Sequence, residues 1–160
     1  MTWTSDPDRF DRIGWFLVRV GGSLRGAAHA AFRRSGGEEN GRMASDDIET
    51  ALHNARALIL ADLTARDVAD AAVVSLVEQA VTHRRWWLEQ WPDGTEYVLG
   101  LVAQDVQDAL LEAYGRWPLC TLCSADGDPH ALSVEPELGP EPHWVCGKQG
   151  AVVAPVGELP

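Results

Sequence analysis

All three cysteines of this 160-residue chain lie beyond residue 119, as Cys120, Cys123 and Cys146. The first two form a C-x2-C knuckle, Cys120-Thr121-Leu122-Cys123. The segment around them reads as short strands: Ala131–Val134, His143–Cys146 and Ala151–Ala154. Turn residues separate these at Asp126-Gly127-Asp128-Pro129, Gly139-Pro140-Glu141-Pro142 and Gly147-Lys148-Gln149-Gly150. A tail of three short strands cannot bury a core of its own, so it needs a staple or a neighbour. An odd cysteine count without an export signal argues against a disulfide framework. Metal binding, redox chemistry or plain small side chains remain.

Zinc is the staple these residues offer. It takes four soft or borderline ligands in a tetrahedron. Three thiolates leave one place, for which His130 and His143 compete. His143 gives a zinc-ribbon layout, with C-x2-C, nineteen residues, then H-x2-C. In an extended strand, however, His143 and Cys146 face opposite ways, because strand side chains alternate. His130 enters its strand directly after a turn. A redox role for Cys120 and Cys123 is the weaker reading. A thioredoxin-like pair opens a helix, where the dipole lowers the thiol pKa, whereas this pair follows a helix end.

The block Trp117-Pro118-Leu119-Cys120, Cys123, His130-Ala131-Leu132, Trp144-Val145-Cys146 and Val156-Gly157-Glu158-Leu159 resembles the C-terminal part of small uncharacterised actinobacterial proteins. Their pattern is W-P-x-C-P-x-H, H-x-L, W-x-C and V-G-x-L. Cys123 stands where that pattern has His, Thr121 where it has Pro, and Gly147 follows Cys146 where Pro is common. The resemblance covers roughly a quarter of the chain and implies His130 as the fourth ligand. It implies no activity. The expected metal set is Cys120, Cys123, His130 and Cys146, with His143 as runner-up.

Ahead of the tail the apolar period becomes helical. Ile48, Leu52, Ala55, Ile59 and Leu63 line one face after a Ser45 N-cap. Thr64 with Asp67 resembles a second capping box, followed by Val68, Ala72, Leu76 and Ala80 with Val73, Val77 and Val81 beside them. Whether residues 46–91 form one bent helix or two stays open. Trp86, Trp87 and Trp91 close this run, and are read first as a cover on the core. Pro92-Asp93-Gly94 is a turn. Asp93 or Thr95 then caps a helix with Val98, Leu101, Val102, Val106, Ala109, Leu110 and Ala113 buried, and Gly115 as its C′ residue. Three such helices pack as a small bundle.

Charge divides the chain into segments 1–44 (net +2), 45–116 (net −8) and 117–160 (net −5). In the first, Phe10, Ile13, Phe16, Leu17 and Val20 follow a helical pattern, and Leu24 to Phe32 offers a second helix. Ser35-Gly36-Gly37-Glu38-Glu39-Asn40-Gly41 has the composition of a linker. The same residues back-translate to a purine-rich string resembling a ribosome-binding site a few codons before Met43. A translated leader with a start at Met43 and a genuine linker after Met1 are both compatible with the sequence.

The overall charge of −11 repels nucleic acid and anionic membrane. The tail holds one Lys, no Arg and six acids, which disfavours the nucleic-acid role common among zinc ribbons. Apolar runs such as Ala57-Leu58-Ile59-Leu60-Ala61 are too short to span a bilayer. Twelve Arg to one Lys suggests a high-GC bacterial source, and a cytoplasmic location is expected. No H-E-x-x-H, G-x-S-x-G or P-loop occurs, and Asp105, Asp108 and Glu112 read as a solvated face. A zinc with four protein ligands leaves no position for a reacting water.

The expected fold is therefore α+β, a small helical bundle followed by a three-stranded zinc-ribbon-like β appendage. The expected role is non-enzymatic. It is an interaction module with one structural zinc, an unidentified protein partner and exposed aromatics at Trp86, Trp87 or Trp144. The class also accommodates a homodimer. A nucleic-acid-associated zinc ribbon is the alternative, and a zinc- or thiol-dependent enzyme the second.

Overall fold

The computed structural model describes residues 36–123 and 129–160. The helices expected between Phe10 and Phe32 and the Asp126-Gly127-Asp128 turn lie outside the described residues. Three helices come first: α1 (Gly36–Ala65), α2 (Ala71–Gln90) and α3 (Val98–Ala113). Three strands follow: β1 (Ser133–Glu135), β2 (His143–Cys146) and β3 (Ala151–Pro155). The architecture is α+β, as the sequence predicts.

The five residues read as the buried stripe of α1, from Ile48 to Leu63, are all buried. The helix also runs on at both ends. Gly36–Gly41 is helical, not a linker, and Ser45 lies inside the helix instead of capping it. At the other end Thr64 caps nothing. Its hydroxyl donates to the Leu60 carbonyl at 2.7 Å, while α1 continues because Asp62 and Leu63 still face the core. Asp67 takes a left-handed backbone (φ 56°) in the loop. The cap of α2 is Asp70, whose carboxylate accepts from the Val73 amide at 2.8 Å. Residues 46–91 thus form two helices.

Shifting that start moves the inner face of α2 onto Val73, Val77, Ala80, Val81 and Leu88, leaving Ala72 exposed. Bidentate pairs tie α2 to its neighbours. Arg85 donates twice to Glu49 at 2.8 Å, and Arg84 twice to Asp105 at 2.6 Å. Asp105 is therefore engaged between α2 and α3, while Asp108 and Glu112 are exposed.

A short 3-10 helix, Pro92–Tyr97, joins α2 to α3. It leads straight into α3, so neither Asp93 nor Thr95 supplies a side-chain cap. Gly94 is buried there, where a Cβ would lie 2.7 Å from the Trp87 and Trp91 rings. Those two rings meet edge to face at 4.9 Å, and Trp91 stacks on Tyr97. Gly115 ends α3 at φ 109°, its amide donating to the Leu110 carbonyl at 2.8 Å.

The sheet is antiparallel in the order β1-β2-β3. Val134, Trp144 and Ala154 stand opposite one another in register, and all three are buried. Gly100 of α3 lies against Pro142 and Val134. Segments 45–116 and 117–160, which differ in charge and composition, contribute to one apolar core. The small sheet thus has the neighbour its size requires.

Candidate metal centre

Two backbone ladders bring the chemistry-bearing residues together. Leu119 and Ala131 form an isolated antiparallel bridge. Across it the Cys120 amide donates to the His130 carbonyl at 2.9 Å, and the Leu132 amide to the Pro118 carbonyl at 2.8 Å. Cys120 and His130 are thereby held side by side. Gln107 of α3 fixes the root of this ladder, donating to the Trp117 carbonyl at 3.0 Å and the Leu132 carbonyl at 2.8 Å. The second ladder is β2, which ends on Cys146. A turn closes there as the Gly150 amide donates to the Cys146 carbonyl at 2.7 Å.

The Cys120, Cys123 and Cys146 sulfurs and a His130 ring nitrogen all lie within 4.8 Å of one another. The Cys123 and Cys146 sulfurs are 3.6 Å apart, and Cys146 Sγ is 3.5 Å from His130 Nε2. A tetrahedral ion with metal–sulfur bonds of about 2.3 Å and metal–nitrogen bonds of about 2.0 Å sets its ligands about 3.8 Å (S to S) and about 3.5 Å (S to N) apart. Those two separations stand at nearly that spacing, and the others are within 4.8 Å. The four could hold a metal ion with every position filled by protein.

His143 is not in this cluster. It pairs with Glu135 on one side and Pro155 on the other. Trp144 and Cys146 share the inner face of β2, and strand alternation puts His143 on the opposite one. The grouped donors include His130 and not His143.

The thiols differ in environment. Hydrogen bonding with His130 draws the Cys146 thiol down to about 6, helped by the Gln149 backbone amide and opposed by burial. Burial, with Cys146 and Cys120 alongside, pushes Cys123 up to about 11. Cys146 and Cys120 are buried, while Cys123 and His130 are half-buried. Gln149 Nε2 donates to Cys123 Sγ at 3.2 Å from the rim.

Sequence reasoning missed one group that fixes the site. Asp62 of α1 is fully buried, and its carboxylate accepts three hydrogen bonds from the tail. Oδ2 accepts from Trp144 Nε1 at 2.7 Å and the Gly157 amide at 2.6 Å. Oδ1 accepts from the Leu159 amide at 2.8 Å. All partners are donors, as an acceptor-only carboxylate requires. Trp144 also meets Trp117 edge to face at 5.3 Å. The available signal was an acid lodged between Ile59 and Leu63 in an otherwise apolar stripe.

Residues 48–156 match a family described as a domain of unknown function, DUF8819. The chain belongs to that family. The matched span opens at Ile48, a buried residue of α1, and contains Asp62, Trp144 and all four candidate ligands. No curated protein matches the chain, and no solved structure does.

Proposed function

We propose that Cys120, Cys123, His130 and Cys146 hold one zinc ion. In this reading the ion is structural, and the protein acts through contacts with a protein partner. The carrying observation is the spacing of the four donor atoms, with two of their separations matching a tetrahedron. Thiolate and imidazole are the donors zinc prefers, and hard cations that favour oxygen are poorly served. The resemblance to actinobacterial proteins points to the same histidine. With four protein ligands the ion stabilises a fold and activates no water.

The partner-facing surface is narrower than the sequence suggests. Trp144 is fully buried and Trp87 half-buried, so neither offers an exposed ring. Trp86, 58% exposed, and Trp91, 40% exposed, do. The acidity of the tail speaks against a nucleic-acid role, since the phosphate contacts would have to come from Lys148 alone. Among the described residues no helix is long and apolar enough to cross a membrane.

Native mass spectrometry of the intact protein tests the metal. One bound zinc is expected, removable by a strong chelator and lost or weakened in Cys120→Ser. Cobalt substitution should give tetrahedral bands with thiolate charge transfer. Metal-free protein that stays metal-free when offered zinc overturns the reading.

A further inference from the structure

The three thiols are not equivalent in reach. Cys120 is buried beneath its ladder with His130, and Cys146 is fully buried at the end of β2. Cys123 is half-buried, and its sulfur accepts a hydrogen bond from Gln149 at the rim. Directly behind that sulfur, 3.6 Å away, lies the sulfur of Cys146. A disulfide needs about 2.05 Å between sulfurs, so closing the pair takes a movement of about 1.5 Å. The two residues lie on different ladders, the knuckle and β2, which face each other across the site.

We propose that Cys123 and Cys146 are an oxidation site, closing to a disulfide under a hydroperoxide and expelling the metal. This rests on the zinc reading above. The half-buried Cys123 sulfur, held as a thiolate by coordination, attacks the hydroperoxide, breaking its O–O bond. The sulfur becomes a sulfenic acid, and the departing oxygen takes a proton and leaves as an alcohol, or as water from hydrogen peroxide. The Cys146 thiolate then attacks that sulfur. The S–O bond breaks, the hydroxide takes a proton and leaves as water, and the S–S bond forms. Two thiolates have given up two electrons and the peroxide has accepted them.

Disulfide sulfur carries no negative charge and is a poor ligand. Cys120 and His130 alone remain, two short of the four that zinc requires. The fold need not come apart with the site. The three bonds from Asp62 to Trp144, Gly157 and Leu159 do not involve the thiols, so the tail stays anchored to α1. The step is reversible on that account, because a thiol reductant returns two thiolates to a framework still in place.

The test uses the full chain, its zinc content measured first by native mass spectrometry. Hydrogen peroxide is titrated in, released zinc is followed with a chromophoric chelator, and the linked peptides are mapped. About one zinc released per disulfide is expected, with Cys123 joined to Cys146 and Cys120 left as a free thiol. Dithiothreitol followed by zinc should restore the loaded protein. Sulfinic acid at Cys123 with zinc retained, a Cys120–Cys123 link, or no oxidation at excess peroxide overturns the proposal. Cys120→Ser should still form the link and Cys123→Ser should not, read on the peptide map whatever their metal content. Protein without zinc before the peroxide overturns the metal reading and the release step with it, while the same map still scores the disulfide.

Discussion

Asp62 is the one fully buried charged side chain among the described residues, and replacing it tests how the tail is attached. Its two oxygens serve three donors, the buried Trp144 Nε1 and Leu159 amide and the part-buried Gly157 amide. In Asp62→Ala all three lose their acceptor at once. A buried donor left unsatisfied costs about 1–3 kcal/mol. Three would cost about 3–9 kcal/mol if none relaxed, and partial access to water by the chain end sets the expectation near the lower bound, about 3–5 kcal/mol. Against a typical stability of about 5–15 kcal/mol, that is a large fraction. Asp62→Asn separates the three bonds. Its oxygen can face Trp144 and Gly157, which share Oδ2, leaving the amide NH2 against the Leu159 N–H. One donor is lost, so the expected cost is about 1–3 kcal/mol. Urea unfolding followed by tryptophan emission measures both, and hydrogen exchange at the Leu159 amide locates the damage. A result within about 0.5 kcal/mol of wild type for Asp62→Ala, the range of an ordinary surface change, would refute the reasoning. So would equal losses in the two variants.

The metal-free protein should show a two-sided pH dependence set by its thiols. Cys146, lowered from 9.0 to about 6, binds fewer protons folded than unfolded, so stability rises as pH climbs from about 6 towards 9. Cys123, raised from 9.0 to about 11, reverses the sign, so stability falls from about 9 towards 11. Thermal melts across that range check both limbs, and a flat profile contradicts them. Gly157→Ala should destabilise by about 2–4 kcal/mol in chemical denaturation, because it meets both backbone strain and overpacking. Gly157 has φ 99°, and a Cβ there would stand 2.5 Å from the Leu58 side chain.

How far the sequence could be read depends on whether the deciding force was local. The α1 stripe was legible because a helix that buries one face repeats its apolar residues every three or four positions. The strands were legible because turn residues bracket them, and Cys146 because it closes one of those strands. The start of α2 was not legible. Thr64 and Asp70 are both plausible caps, and the choice fell to how long Asp62 and Leu63 keep α1 on the core. Asp105 looked solvated because its partner Arg84 lies on another helix. The Asp62 bonds join residues at least 82 positions apart, and no window of sequence contains both ends.

The positions of His130 and His143 show how one local rule and one distant pairing act together on the candidate site. Alternation along β2 turns His143 away from Cys146. The ladder between the knuckle and Ala131 instead brings His130 into the cluster by pairing its carbonyl with the Cys120 amide. The same alternation places Trp144 and Cys146 on one face of β2, two residues apart. One strand therefore carries both the side chain that anchors the tail to α1 and the thiol that enters the metal site. The anchor is a set of hydrogen bonds already satisfied by protein, and the candidate metal site is a cluster of donors that could hold a cation. Removing the cation should loosen the knuckle and His130 before it loosens β2, because Trp144 keeps its bond to Asp62 whether or not Cys146 is coordinated. Amide exchange that rises at Cys120 and Leu132 on chelation, while Trp144 stays protected, is the order this arrangement requires. Equal loss at both places would mean that the metal, and not Asp62, holds the sheet on the bundle.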